Sequence, residues 1–241
     1  MDFNANQKYF SPEKKPLYIG IILAVLGLLL TGNLRFWFDN SWLVVIPGAV
    51  LLIIGGLLIF NFFFAGLKDY ELDELVKEET AKAEQLSAEA IAKSHITKVT
   101  KTYTCVDYVF DKSVAKQFKK GRDGRRRSDV CCVTVLSLCP GTLCVYTHSF
   151  CLTEEKREDV LEKIPLENYE DSELASEIIP LTNGNKTFAV TARLLKLKTK
   201  DRVFSIPAVE DVLLFEMTDR IAVVSKKRKD ELASEETEKT E

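Results

Sequence analysis

Two long uncharged stretches near the start of the chain most constrain how it can fold. No charged residue occurs from 16 to 34 or from 41 to 67, and only Arg35 and Asp39 separate the two. A helix rises about 1.5 Å per residue, so roughly 20 apolar residues cross the hydrocarbon core of a bilayer. Both stretches reach that length. They predict a transmembrane helical hairpin over 17–67, with helices at about 17–34 and 42–66.

Basic residues flank this hairpin unevenly. The N-terminal tail, 1–16, carries three lysines, and Lys68 and Lys77 follow the second stretch, whereas the short loop carries Arg35 alone. The positive-inside rule therefore predicts an integral membrane protein with both termini in the cytosol. A cleaved signal peptide is the alternative, but residues 29–33 lack a small-x-small cleavage site and a second apolar stretch follows directly.

Small residues recur on one face of each predicted transmembrane helix. Such residues let helix backbones approach closely in lipid. The face serves either to pack the first helix on the second or to drive association into a homo-oligomer. Neither stretch contains an ionisable residue, which argues against a proton relay or a charged transport path. The predicted helix-packing residues are Gly20, Ala24, Gly27, Thr31, Gly48 and Gly55.

Residues 68–94 are predicted to be a helical linker. Strong helix formers dominate this segment, and it contains neither glycine nor proline. Its apolar positions, such as Leu72, Val76 and Ala83, are sparse. A sparse apolar stripe is typical of a solvated stalk or of a weak coiled coil in an oligomer.

The pattern changes to alternating apolar and polar residues from His95 onward, which predicts a cytosolic β-rich domain over 95–230. Pro140-Gly141-Thr142 separates two Val-, Leu- and Cys-rich runs, which is a hairpin signal. The predicted fold is a membrane α-hairpin plus an α+β domain, with about seven antiparallel strands in one sheet or partly open barrel and a C-terminal helix. The predicted strands lie near 96–110, 129–138, 143–152, 160–165, 173–180, 186–198 and 202–206.

A C-terminal helix is predicted over 207–229. Pro207 stands at its start, and apolar residues including Leu213, Met217 and Ile221 repeat at helical spacing. The basic run 226–229 matches the negative end of a helix dipole. Residues 231–241 form a charged tail that is predicted to fray.

About seven strands in meander order followed by one amphipathic helix resemble the pleckstrin-homology-like fold. The run from Thr134 to Phe150 is similar to the central hairpin of such domains in bacterial membrane-anchored proteins. The resemblance covers roughly residues 96–230 and implies a cytosolic domain, anchored to the bacterial cell membrane, that binds lipids, peptides or proteins. It implies no functional residue.

A dense basic cluster lies between the first two predicted strands. Near a membrane, each such residue contributes about 1 kcal/mol of attraction to anionic headgroups. The cluster is therefore the candidate site for an anionic lipid, and a flexible solvated loop is the alternative. Nucleic acid is not predicted, because no aromatic residues interleave the cluster and the chain is net acidic. The cluster comprises Lys119, Lys120, Arg122, Arg125, Arg126 and Arg127.

Six cysteines in the β region raise the question of a metal or disulfide site. A two-residue Gly141-Thr142 loop would place Cys139 opposite Cys144 and Cys132 opposite Cys151, on opposite faces of the hairpin, which is poor geometry for one four-ligand site. Disulfides are rare in a reducing cytosol. The prediction is therefore buried free thiols, with a metal site or redox sensing as the alternatives.

Nothing in the sequence predicts catalysis. Only His95 and His148 could serve as histidine bases, and His148 falls in a predicted strand, where a structural role is expected. No nucleotide-binding or hydrolase motif is present, so neither an enzyme nor a cofactor is predicted.

Two functions remain open from the sequence. One is a membrane-anchored binding module that recognises a lipid headgroup or a protein partner. The other is an oligomerising two-helix effector whose β domain senses a small signal such as a cyclic nucleotide, an architecture that resembles some bacterial anti-phage effectors.

Overall fold

The computed structural model describes residues 1–32, 42–64, 67–96, 98–111, 113–183, 186–207 and 211–238. The chain divides into two compact units, residues 2–72 and residues 73–241, and the boundary falls within a helix. The predicted loop with Arg35 and Asp39 lies outside the described residues.

The first unit contains the two apolar stretches as helices. A short helix α1 (Phe3–Phe10) precedes α2 (Lys15–Gly32) and α3 (Trp42–Phe64), and α4 (Asp69–Lys93) begins in this unit. Both α2 and α3 contain a segment that is long and apolar enough to cross a membrane, Lys15–Gly32 and Val45–Phe64. The bounds of α2 and α3 lie within two residues of the predicted helices at about 17–34 and 42–66.

Small residues bring α2 and α3 into backbone contact. A Cβ atom on Gly27 would lie 2.7 Å from the carbonyl oxygen of Gly48, and one on Gly55 would lie 2.7 Å from the carbonyl oxygen of Gly20. The predicted packing residue Thr31 lies in the same seam, because its methyl group would be 2.8 Å from a Cβ on Gly48. The small-residue face is therefore used inside the hairpin, as the first of the two interpretations predicts.

The segments that flank this hairpin lie beside one another. The Tyr9 hydroxyl of α1 donates a 2.6 Å hydrogen bond to the Asp69 carboxylate at the start of α4. Tyr9 is almost fully buried. The chain therefore enters α2 and leaves α3 on the same side of the helix pair, as an antiparallel hairpin requires.

The second unit is built from nine strands and two helices in the residues that the structure describes. Strands lie at each of the seven predicted positions, and two short strands cross the basic cluster. The elements after α4 are β1 (Lys101–Tyr108), β2 (Phe118–Lys120), β3 (Arg126–Ser128), β4 (Val130–Cys139), β5 (Thr142–Cys151), β6 (Arg157–Pro165), β7 (Tyr169–Asn183), β8 (Lys186–Thr199), β9 (Val203–Pro207) and α5 (Asp211–Glu238).

The strands form three antiparallel sheets, so the prediction of one seven-stranded sheet was wrong. The first sheet has the order β1-β4-β5-β6, the second has the order β7-β8-β9, and β2 pairs only with β3. A 3₁₀ turn at Leu166–Asn168 separates β6 from β7. Leu166 is fully buried, and its carbonyl accepts a hydrogen bond from Ser225 of α5. This buried turn ends the first sheet, since the chain leaves it there to start the second.

The two larger sheets and α5 share the main hydrophobic core. Leu136 and Val145 of the first sheet pack with Leu195 and Ile206 of the second and with Met217 of α5. A second core at the other end of the sheets contains Phe110, Phe118, Val130, Leu181 and Val190. The long β7-β8 hairpin contributes to both cores and joins the two ends of the domain.

The opposite face of the first sheet is covered by α4. Thr104 of β1 donates a hydrogen bond to Glu84, and Ile91 packs on Cys139 and Cys144. Val76, Glu79, Ala83, Ser87 and Ile91 form a buried stripe along the helix. A solvated stalk would leave that stripe exposed, so α4 from residue 73 onward is part of the domain. The sequence did not predict this buried stripe, because two of its five positions, Glu79 and Ser87, are polar.

The C-terminal helix differs from its predicted range. Pro207 ends β9, residues 208–210 lie outside the described residues, and α5 runs from Asp211 to Glu238. The tail from 231 to 238 is helical where fraying was predicted. Lys227 and Arg228 lie within ion-pair distance of Glu231, one turn further along, and such pairs support a helix.

Candidate functional site

A groove runs along the open edge of β1 and is the candidate functional site. Its volume is about 870 Å³, which is within the range of ligand-binding clefts. Helix α4 borders it on one side and β8 on the other, and the β2-β3 hairpin closes one end. The lining residues are 73, 76, 77 and 80 of α4, 104–108 of β1, Phe110, 125–127 of the hairpin, and 189–191 and 193 of β8.

Basic side chains outnumber acidic ones around this groove. The basic residues are Lys77, Arg125, Arg126, Arg127 and Arg193, and the acidic residues are Asp73 and Asp107. The carboxylate of Asp73 is already paired with Arg127. The other four basic side chains therefore face one acidic side chain that has no ion-pair partner among the described residues, that of Asp107. This excess of positive charge makes the groove suited to an anionic ligand, because several cations facing one cleft attract and orient negative charge.

Arg127 joins three elements at the end of the groove. Its guanidinium is 1% exposed and makes two hydrogen bonds to Asp73 of α4, at 2.9 and 2.7 Å, and two to Asp123, at 3.0 and 2.7 Å. The Tyr108 hydroxyl of β1 donates a third bond to Asp73, at 2.9 Å. The hydrogen bonds from Arg127 lower the pKa of Asp73 and bring that of Asp123 to about 2. Arg127 therefore positions the hairpin and is unavailable to a ligand.

Arg126 is held differently. Its guanidinium lies over the ring of Phe188, 4.5 Å from the ring centroid, which is cation–π geometry. One terminal nitrogen, Nη1, is buried and has no hydrogen-bond partner among the residues that the structure describes. A buried donor without an acceptor is costly. An anion in the groove would satisfy it.

The structure divides the predicted basic cluster into two sets. Arg125, Arg126 and Arg127 line the groove, whereas Lys119, Lys120 and Arg122 do not. A short antiparallel hairpin separates them, since Lys119 pairs with Arg127 and Lys120 with Arg126 across β2 and β3. Part of the cluster therefore lies on a paired hairpin, where a flexible solvated loop was the alternative interpretation. Lipid binding by the six residues as one cluster stays a prediction.

Asp107 is the acidic residue that the sequence did not single out. It is the penultimate residue of β1, and its carboxylate accepts a 2.7 Å hydrogen bond from the backbone N–H of Tyr108. Burial raises the pKa of Asp107 to about 6. Its ionised form is therefore disfavoured in the fold relative to the unfolded chain, where a carboxyl group titrates near pH 4.

We expect Asp107→Asn to increase the free energy of unfolding at pH 7.5 by about 2 kcal/mol, because the amide needs no ionisation and keeps an oxygen for Tyr108. A raised pKa in the folded state means that the wild-type protein loses stability as the pH rises from about 4 to about 6. The variant should lack that loss. The free energy of unfolding is measured by urea unfolding of the full chain in detergent, followed by labelling of the buried thiols Cys131 and Cys144. Equal pH profiles for variant and wild type would contradict the prediction.

His148 lies outside the groove, in a second polar cluster beneath α4. The ring is 2% exposed, and Nδ1 is 2.5 Å from Asp159 of β6. Nε2 lies 3.8 Å from the buried carboxylate of Glu79, which also contacts Lys82 and Arg157. The cluster connects α4 to the first sheet. This placement agrees with the structural role predicted for His148.

The cysteines occupy a different register from the predicted one. The turn centres on Pro140-Gly141, so Cys139 pairs with Thr142, and Cys132 pairs with Ser149. Proline lacks an N–H for the strand ladder, and Gly141 has a φ of 74°, which glycine adopts readily; both facts place the turn there.

All six cysteines are free thiols in the structure. Burial raises the pKa of Cys131, and that of Cys144 to about 12. Within the described part of the chain no group of three His, Cys, Asp or Glu side chains has the arrangement of a metal site.

The sequence matches no protein-family profile, no curated protein and no solved structure. Function must therefore be argued from the geometry. Sequence reasoning found Arg125 to Arg127 as a basic run but missed Lys77, Asp107 and Arg193, which lie in different elements.

Proposed function

We propose that this chain is a membrane-anchored, non-enzymatic binding module whose β domain holds an anionic segment of a protein partner in the groove beside β1. One observation carries the proposal. Basic side chains from α4, the β2-β3 hairpin and β8 converge on one cleft, and the buried Nη1 of Arg126 has no acceptor in the described parts of the chain. Separate elements supply these charges, which is the arrangement expected of a site and not of a solvated loop.

A protein segment fits the groove better than a lipid headgroup. The groove is as long as the five residues of β1 that line it, about 16 Å of extended chain. Apolar Val76, Val106 and Phe110 line it together with the basic groups. A headgroup would need only a compact pocket of cations, and Arg127 is already saturated by Asp73 and Asp123.

The two apolar helices support membrane anchoring. They pack through backbone contacts at Gly27 and Gly48, and the described parts of α2 and α3 carry no charged side chain except Lys15 at the start of α2. Their role is therefore to hold the domain at a bilayer. The arrangement of a four-stranded sheet, a three-stranded sheet and a C-terminal helix supports the pleckstrin-homology-like interpretation of that domain.

The double variant Arg125→Gln with Arg126→Gln should weaken binding of an acidic peptide by about tenfold or more, because hydrogen bonds to charged groups are among the stronger ones. The full chain is placed in nanodiscs of phosphatidylcholine. Fluorescence anisotropy then follows a labelled eight-residue peptide of alternating Glu and Val. Binding should also weaken as salt is added, since exposed charges are screened.

The matched control is Lys120→Gln with Arg122→Gln, which removes the same charge from the same hairpin outside the groove. Affinity should be unchanged in that variant. Equal loss in both double variants would mean that net charge alone attracts the peptide, and it would overturn the groove as the site. If the peptide does not bind, but the hairpin binds vesicles that contain phosphatidylserine, the hairpin would be assigned to lipid.

A further inference from the structure

Strand β1 presents an unpaired edge to the groove. It is the outermost strand of the first sheet and, among the strands that the structure describes, pairs only with β4. The Val109 N–H donates to the Val130 carbonyl, which continues the β1-β4 register by one residue. Hydrogen-bonded pairs alternate in an antiparallel ladder, so the backbone groups of Thr104, Val106 and Tyr108 point away from β4. These are residues of the groove lining.

Strand β8 presents a second unpaired edge to the same groove. Its pairing with β9 covers only residues 194–198, because β9 ends at Pro207 opposite Leu194. The Thr199 N–H donates to the Arg202 carbonyl, which sets the alternation on that side of β8. Counting back by twos, the backbone groups of Arg193, Thr191 and Ala189 point to the side that β9 leaves open. These three residues also line the groove.

The geometry points to strand addition: the anionic segment binds as an extended β-strand between β1 and β8 and pairs with the open edges that line the groove. This inference rests on the proposed function and specifies its binding mode. An extended peptide forms main-chain hydrogen bonds with an exposed edge, while pockets beside the edge select its side chains. Here one inserted strand would connect the first sheet to the second, which the described strands leave unconnected.

Asp107 sets one end of the available edge. Its carboxylate accepts the Tyr108 N–H, so that outward backbone donor is already satisfied. The outward donors of Thr104 and Val106 remain on β1, and those of Ala189 and Thr191 remain on β8. The matching segment of a partner is therefore about five residues long, because successive residues of a strand advance by about 3.3 Å.

Charge selects the side chains of the added strand. Side chains of an extended segment alternate between its two faces. Lys77, Arg125 and Arg193 would meet carboxylates or phosphates on the segment, and Val76 and Phe110 would meet apolar side chains. The segment is therefore acidic with apolar residues interspersed, which is the pattern of the Glu-Val peptide.

N-methylation of the peptide tests the binding mode separately from the site. Three matched peptides carry the same Glu-Val sequence. One is unmodified, and each of the other two has methyl groups on one set of alternate backbone nitrogens, which removes the edge-pairing donors of that set. Strand addition to wild-type protein in phosphatidylcholine nanodiscs predicts that at least one of them binds about tenfold or more weakly, since two or three hydrogen bonds are lost.

Equal binding of all three peptides would overturn strand addition while leaving the proposed function intact, because charge would then suffice. No binding of the unmodified peptide would overturn both. Hydrogen exchange gives a second readout on the unaltered protein. The peptide should slow exchange of the backbone amides at 104, 106, 189 and 191. Unchanged exchange at those residues with the peptide bound would also overturn strand addition.

Discussion

Replacing Arg127 with alanine should lower the free energy of unfolding of the β domain by about 3 kcal/mol, as expected when one partner of a buried ion pair is removed. The side chain is 1% exposed and holds Asp73 of α4 and Asp123 of the hairpin through four hydrogen bonds. Its removal leaves a cavity and two carboxylates without their cation. Urea unfolding of the full chain in detergent, detected by labelling of Cys131 and Cys144, gives the value.

The same network predicts an acid dependence. Hydrogen bonds from Arg127 lower the pKa of Asp73 and of Asp123, the latter to about 2. A lowered pKa stabilises the fold above the unfolded value near 4, and that contribution is lost as the pH falls from about 4 toward 2. The alanine variant should show a smaller loss over this range.

Arg125→Ala is the matched control, because Arg125 is exposed and lies two residues from Arg127. Its free energy of unfolding should stay within about 0.5 kcal/mol of wild type, as for most surface substitutions. If Arg125→Ala and Arg127→Ala were equally destabilising, the assignment of Arg127 as the residue that joins the three elements would be wrong.

Gly27→Leu should separate the two apolar helices. A Cβ at this position already falls 2.7 Å from the Gly48 carbonyl and 2.8 Å from the Leu52 backbone nitrogen, so the neighbouring backbone must move. The axes should part by about 2 Å, toward the 8–10 Å usual for larger contact residues. Genetically encoded spin labels at Ile22 and Leu57 allow the distance to be measured by double electron–electron resonance in nanodiscs, without labelling the native cysteines.

Gly56→Leu is the control for this prediction, since a Cβ there meets no atom within 4 Å. Its distance distribution should match that of wild type. A Gly27→Leu distribution as narrow and short as the control's would mean that the small residues are not what brings the helices together.

Several features of the fold followed from the sequence because their causes are local. Absence of charge over 16–34 and 41–67 predicts helices that can cross a membrane, and α2 and α3 lie there. Alternation of apolar residues placed β1, and Val-, Leu- and Cys-rich runs placed β4 and β5. Proline and glycine at 140 and 141 placed the hairpin turn, although the register was predicted two residues out because Pro140 was assigned to the strand.

Features that depend on distant residues were missed. The helical linker was predicted, yet its buried face was not, because Glu79 and Ser87 are polar. Glu79 is buried beside His148 and Arg157, which are distant in sequence. The basic run gave no sign that Arg127 is buried while Arg125 is exposed. Only the carboxylates of Asp73 and Asp123, brought together by folding, distinguish the two.

The sequence by itself determined the helix pair, the strand content and the small residues where α2 meets α3, since hydrophobic length, alternation and residue size act over short stretches of chain. The tertiary structure decided how the seven longer strands divide between the four-stranded and the three-stranded sheet, and where β1 and β8 have open edges. It also brought Lys77, Arg126 and Arg193 to one groove. Those outcomes depend on which distant surfaces pack together, and a local pattern of residues does not specify that.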